Sequence, residues 1–170
     1  GSTGNNIFLP QIIQSTLKNN LNIILSGINS TEKANLIKMI PELKNRSIME
    51  PLIEAEKVFP FCKLTICHGG SGTVYQSITK GIPVLCFPNN PDQGLVSIAV
   101  TNNNIGRFLT KKTANQNSIN EMIKLCVSND LIHQNAKNMQ LELSQWNTKR
   151  RWIQFLSKYK TIRKTKLTIA

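Results

Sequence analysis

At 170 residues and 40% hydrophobic content the chain can bury one core, so a single domain over residues 1–170 is the default. No apolar run approaches the ~20 residues that carry a helix across a bilayer, and Gly1–Asn6 lacks the basic and apolar regions of a signal peptide. The formal net charge of +12 turns attention to anionic partners.

Gly1-Ser2-Thr3-Gly4 opens the chain. Ile7, Leu9, Ile12, Ile13 and Leu17 then share one face of a helix, with Asn5 or Asn6 as its N-cap. Leu21–Ser26 reads as a strand with Ser26-Gly27 as its turn, and Thr31–Ile40 as a short helix limited by Pro41. Arg46–Glu50 is a modest strand, followed by a loop and short helix over 51–61. Lys63–Cys67 and Val84–Phe87 are apolar runs that read as buried strands. Between them Val74, Tyr75 and Ile78 recur at helical spacing until Gly81-Ile82-Pro83 stops the helix. Strand, glycine turn, short helix and strand make a βαβ unit whose strands must be parallel. Beyond it, Pro88-Asn89-Asn90-Pro91 forms a rigid turn that presents Asp92-Gln93 at a helix start, and Thr101–Asn104 breaks that helix. Ile105–Leu109 is the last strand, with Gly106 tolerated near an edge. Ser118–Val127 and Leu131–Leu143 are closing helices, with His133 on the surface of the second. The four cysteines show no zinc-like spacing, and Cys67 and Cys86 fall in core strands as small apolar fillers. A reducing, cytoplasmic setting is the expectation.

The turn His68-Gly69-Gly70-Ser71-Gly72-Thr73 has a physical job of its own. It leaves backbone N–H groups uncovered at a helix N-terminus, where the partial positive charge and spare donors suit a phosphate. Gly69, Gly70 and Gly72 have no Cβ to hold an anion away from the main chain. Ser71 and Thr73 add hydroxyl donors, and His68 adds an imidazole N–H. The plainer reading is a tight strand-to-helix turn capped by Ser71, with His68 filling space. A glycine-rich turn alone leaves the two readings even.

His68-Gly69-Gly70-Ser71-Gly72-Thr73-Val74-Tyr75-Gln76, then Gly81-Ile82-Pro83 and finally Pro91-Asp92-Gln93, resembles the donor-binding signature of GT-B glycosyltransferases. The likeness is to the large family using UDP- or dTDP-sugars, which includes plant, antibiotic-pathway and sterol glycosyltransferases. It implies an α/β fold, a Rossmann-like parallel sheet flanked by helices, forming the C-terminal half of such an enzyme. It also implies diphosphate contacts from Ser2, Thr3, His68, Gly69, Gly70, Ser71, Gly72 and Thr73, and ribose contact from Gln76, where many relatives have Glu. Asp92 and Gln93 would hold the donor sugar, although capping by Asp92 is the simpler reading of the residues alone. Met49, Glu50 and Leu52 are candidates beside the base, in a loop that reads equally well as a plain connector.

The same resemblance implies hexosyl transfer to an acceptor hydroxyl, with an acceptor-binding domain or subunit as partner. No catalytic residue is expected in this half beyond leaving-group stabilisation by His68, Ser71 and Thr73. No cofactor or metal is expected, since no Asp-rich signature is present. A strand implied before the Gly-Ser turn is not in the sequence. Such a sheet would leave open edges, so either the chain is cut from a longer one or another segment fills the gap. The isolated domain is expected to bind donor without turnover. A split enzyme that regains activity with a separate acceptor-binding protein is one alternative, and a nucleotide-sugar epimerase of the same architecture is another.

After Glu142 no acidic side chain follows, whereas Lys149, Arg150, Arg151, Lys158, Lys160, Arg163, Lys164 and Lys166 do. Trp152, Phe155, Leu156 and Tyr159 recur at helical spacing, which predicts a basic amphipathic helix over about 146–166. Two roles are open to it: docking back on the other half, as the family's closing helix does, or peripheral contact with an anionic membrane. A fold-retaining membrane- or nucleic-acid-binding module without sugar chemistry is the remaining alternative. Nucleic acid is the less favoured partner, because no recognition motif accompanies the charge.

Overall fold

Each long helix expected from apolar spacing within the first 144 residues is present in the computed structural model, which describes residues 7–146 and 150–158. Helix α1 (Leu9–Lys18) buries Ile13 and Leu17, but it starts at Phe8 rather than at Asn5 or Asn6. No side chain caps it, and Pro10 in its first turn needs no N–H partner there. Strand β1 (Ile23–Ser26) leads to α2 (Ser30–Met39), where Asn29 and Glu32 form a reciprocal capping box. A short helix, α3 (Leu43–Arg46), precedes β2 (Ser47–Glu50) and was not evident from spacing. Arg46 there donates to the carbonyl of Leu21 at 3.0 Å, tying α3 to the entrance of β1.

After α4 (Ala55–Val58) and a single 3₁₀ turn (Phe59–Phe61) comes the predicted βαβ unit. It consists of β3 (Thr65–Cys67), α5 (Ser71–Ile78) and β4 (Val84–Cys86). Then follow α6 (Pro91–Asn102), β5 (Gly106–Phe108), α7 (Gln116–Ser128) and α8 (Asp130–Ser144). Two units divide the chain, Gly1–Gln140 and Leu141–Ala170, and the end of α8 falls in the second.

All strand pairs are parallel, as helix crossovers require. The sheet is in two pieces, β1–β2 and β3–β4–β5, so one edge of β1 and one edge of β3 are unpaired among the described residues. Helix α1 joins the two pieces through their cores. Its Ile13 and Leu17 pack with Ile23, Leu36, Leu43 and Met49, while Phe8 and Ile12 pack with Leu85, Ile119 and Ile123. Polar links reinforce the α1–α7 contact: Gln116 donates to the buried Ser15 hydroxyl at 2.7 Å, and Asn19 to Asn120 at 3.0 Å.

Gly106 is required rather than merely tolerated. It pairs with Val84, and a Cβ there would lie 1.9 Å from the Val84 carbonyl oxygen. His133 is half-buried, with Nε2 3.0 Å from the Val127 carbonyl, so it is more than a surface residue.

Candidate functional site

Strands β3 and β4 are parallel neighbours in register, Cys67 opposite Cys86. Both therefore release the chain on the same edge of the sheet, and the N-termini of α5 and α6 meet there. This is the carboxyl edge on which open α/β sheets gather their ligands.

The loop from β3 into α5 is built on its neighbours. Gly69 has φ +82°, a left-handed conformation natural to glycine. Its N–H lies 3.4 Å from Cys67 Sγ. A Cβ on Gly69 would lie 2.6 Å from Ser97 Oγ and 2.9 Å from the Gln93 carbonyl oxygen, so α6 packs directly on the loop backbone. Ser97 is fully buried and donates to that same Gln93 carbonyl at 2.7 Å. The missing side chain of Gly69 therefore makes room for α6, not for an anion.

Gly70 is the N-cap of α5 in extended conformation, and no side chain caps this helix end, Ser71 included. The first intrahelical bond runs from Val74 N–H to the Gly70 carbonyl, leaving the amides of Ser71, Gly72 and Thr73 as the helix's orphan donors. Ser71 and Gly72 are exposed and Thr73 is half-buried. Neither hydroxyl has a hydrogen-bond partner among the described residues. A Cβ built on Gly72 meets nothing within 4 Å, so the space beside this amide is open. A Cβ on Gly70 would fall 2.7 Å from His68 Nε2, which places the imidazole folded over the loop. Burial lowers the His68 pKa from its ordinary value, favouring the neutral ring, which still offers one N–H donor.

Across the edge, Asn90 is the N-cap of α6, its side chain accepting from Gln93 N–H at 3.0 Å. This overturns the simpler reading of Asp92 as a cap. Asp92 sits exposed in the first turn, with its carboxylate unspent. Gln93 is buried, and its side-chain oxygen accepts from Asn89 N–H at 2.8 Å, so that atom is committed to the turn. The pattern Asn90-Pro91 with Gln93 at the third helical position was the available signal for this cap.

The remaining candidates divide. Gln76 is exposed one turn along α5 from Thr73, with its amide uncommitted. Met49 must be withdrawn from the base-contact group. Strand alternation turns its side chain into the core beside Ile13 and Leu43, where it is 2% exposed. Glu50 is exposed and pairs with Lys33 at 3.7 Å, and Leu52 projects into solvent at 84% exposure. Ser2 and Thr3 lie outside the described residues. Among the described residues no group of three His, Cys, Asp or Glu side chains is placed to hold a metal, and no helix is long and apolar enough to cross a membrane.

Parallel strands, an uncapped glycine-rich helix start and a second helix start beside it have the architecture of one half of a GT-B glycosyltransferase. More narrowly, the chain belongs to the family described as Erythromycin biosynthesis protein CIII-like, C-terminal domain, which matches residues 16–148. It is 26% identical over 141 residues to a PGL/p-HBAD biosynthesis glycosyltransferase of Mycobacterium tuberculosis, covering 75% of this chain and 32% of that protein. Against the NDP-glycosyltransferase YjiC of Bacillus subtilis it is 23% identical over 122 residues, 72% of this chain and 30% of the other. The chain thus spans about a third of the curated relatives it matches.

Among solved structures, Os79 from O. sativa in complex with UDP and deoxynivalenol-3-glucoside superimposes with a TM-score of 0.78 at 15% identity, covering 94% of this chain and 40% of that one. The glycosyltransferase VinC in complex with dTDP gives 0.71 at 16% identity, covering 82% and 34%. These likenesses establish the fold.

Proposed function

We propose that this chain is the donor-binding half of a glycosyltransferase that moves a hexosyl group from a UDP- or dTDP-sugar to an acceptor hydroxyl. The observation that carries the reading is the uncapped N-terminus of α5, three orphan amides wide, opening beside unoccupied space at Gly72. A helix end in that state is a ready anion site. Family membership and the nucleotide-bound neighbours, one with UDP and one with dTDP, support the same assignment.

In the proposed reaction the acceptor oxygen forms a bond to the anomeric carbon as the bond from that carbon to the diphosphate oxygen breaks. The electron pair leaves with the nucleoside diphosphate, and the acceptor proton passes to a base in the other half. This half holds the leaving group. Amides of Ser71, Gly72 and Thr73, the Ser71 and Thr73 hydroxyls and the His68 N–H stabilise the charge that develops on the diphosphate. The helix dipole supplies that stabilisation without a metal ion. The Asp92 carboxylate accepts hydrogen bonds from the sugar hydroxyls, and Gln93 shapes the turn that aims it. Gln76 meets the ribose with a neutral amide, forgoing the charge-assisted bond that Glu provides. Glu50 and Leu52 remain candidates beside the base.

The acceptor pocket and general base belong to a second domain or subunit, so the chain alone binds donor without transfer. Calorimetric titration with UDP, dTDP and their hexose conjugates tests the assignment. Saturable binding with sugar-dependent affinity supports it, and binding to none of them rejects it.

A further inference from the structure

Beneath the glycine-rich loop lies a pair of thiols that donor binding leaves unused. Cys67 and Cys86 are register partners on the neighbouring parallel strands β3 and β4, so both side chains leave the sheet on the same face. They meet in one core cluster, where Cys86 is fully buried and Cys67 packs against it. Paired strands lie about 4.8 Å apart, inside the Cα separation of about 4.4–6.8 Å that a disulfide spans. The two side chains are in hydrogen-bond contact, and Cys86 also reaches Ser97. Contact with Cys86 lowers the Cys67 pKa against the pull of burial, helped by the Gly69 amide, while the Cys86 pKa is raised. Thiolate therefore gathers on Cys67, the half-buried member of the pair. Cys62 and Cys126 are instead both raised by burial.

The same sulfur holds the loop. Cys67 Sγ accepts from Gly69 N–H at 3.4 Å, at the residue whose left-handed backbone starts the turn into α5. Gly69 in turn lies over Cys86, since a Cβ on it would stand 3.6 Å from the Cys86 Cβ. A bond between the two sulfurs turns Cys67 Sγ towards Cys86 and takes the acceptor from that amide.

We infer that Cys67 and Cys86 are a thiol pair oxidised by hydrogen peroxide, and that their disulfide loosens the loop at the start of α5. The Cys67 thiolate attacks one peroxide oxygen, the O–O bond breaks, and hydroxide leaves and is protonated to water. The Cys86 sulfur then attacks the Cys67 sulfenic acid. An S–S bond forms, the S–O bond breaks, and the Cys86 proton departs with the hydroxyl as a second water. The thiols lose two electrons and the peroxide gains them. A small oxidant suits a pair with one member fully buried. The bond and its effect on the loop need no ligand, whereas any effect on nucleotide affinity rests on the donor-site reading.

Trypsin cleaves after Lys63, Lys80 and Arg107, which puts Cys67 in peptide 64–80 and Cys86 in peptide 81–107, each as its sole cysteine. The folded chain is treated with hydrogen peroxide, remaining thiols are blocked in denaturant, and the tryptic peptides are weighed with and without dithiothreitol. The expected product is 64–80 joined to 81–107, lighter than their sum by the lost hydrogens and separated by the reductant. Cys126 should stay a thiol, reporting an intact core. In Cys86→Ala the reaction should stop at the Cys67 sulfenic acid, trapped by dimedone.

Amide exchange over Gly69–Thr73 should quicken on the order of tenfold in the oxidised chain and recover on reduction. UDP-sugar affinity should fall on the order of tenfold with it. If the reduced chain binds no nucleotide, the donor-site reading fails, while mass and exchange still decide the thiol pair. Peroxide that leaves both thiols unchanged overturns the inference, as does Cys67 passing to sulfinic acid with Cys86 untouched. A cross-linked chain whose loop exchanges no faster than the reduced one overturns it too.

Discussion

Gly69 lies against Ser97 so closely that a Cβ on the glycine would stand 2.6 Å from the serine oxygen. This contact brings the starts of α5 and α6 into one site. Gly69→Ala must both hold a left-handed φ and push α6 away, at a cost of about 2–4 kcal/mol in stability. Gly27 provides the comparison: its φ is +86°, but a Cβ there meets nothing within 4 Å. Gly27→Ala should therefore cost only the conformational part, about 1–2 kcal/mol. Urea unfolding of the two variants separates strain from packing, and equal losses would remove the α6 contact from the account.

Asn90 and Asp92 occupy the same helix start with separable jobs. Asn90→Ala removes the cap of α6 and should lower stability by about 1 kcal/mol. Asp92→Asn leaves the cap in place and should change stability by less than that, through the helix dipole alone. In binding the ranking reverses. Asp92→Asn should weaken a UDP-sugar several-fold while leaving UDP itself nearly unchanged. Equal losses for both ligands would place Asp92 away from the sugar.

Most of this architecture was legible as periodicity and punctuation. The run from Lys63 to Phe87 announced a parallel βαβ unit, and register pairing of Cys67 with Cys86 bears that out. What stayed hidden depends on contacts between segments distant in sequence. Three glycines in one turn look alike as letters. Yet Gly69 faces α6, Gly70 faces His68 and Gly72 faces open space. Met49 looked like a loop-edge residue because its strand is short, whereas alternation buries it in the core. Phe8 replaced Asn5 or Asn6 at the start of α1, where Pro10 suits an uncapped first turn. The division of the sheet into two pieces reflects pairing partners, which a strand's own residues do not specify.

His68 gives the site a pH signature. Burial lowers its folded pKa below the ordinary 6.5, so the native state favours the neutral ring. Its contribution to stability is present above that unfolded value and is lost as pH falls through it towards the folded pKa. A bound diphosphate acts in the opposite direction, because a neighbouring anion favours imidazolium. Affinity for a UDP-sugar, whose phosphates are diesters and do not titrate near neutrality, should therefore rise as pH is lowered from neutral towards the His68 pKa. Proton uptake should appear as a buffer-dependent binding enthalpy. His68→Gln should abolish both effects. Persistence of the uptake in that variant would assign it to another group.

The account turns on the open amides at the start of α5, and Gly72 tests them with the least disturbance to the fold. Its α-carbon faces unfilled space, so Gly72→Leu should fold with stability within ~1 kcal/mol of the parent chain. Calorimetric titration of a UDP- or dTDP-sugar into both proteins is the direct measurement. The account predicts saturable binding by the parent and a loss on the order of tenfold to a hundredfold in Gly72→Leu, the worth of one charge-assisted hydrogen bond. Undiminished affinity in the folded variant would contradict it.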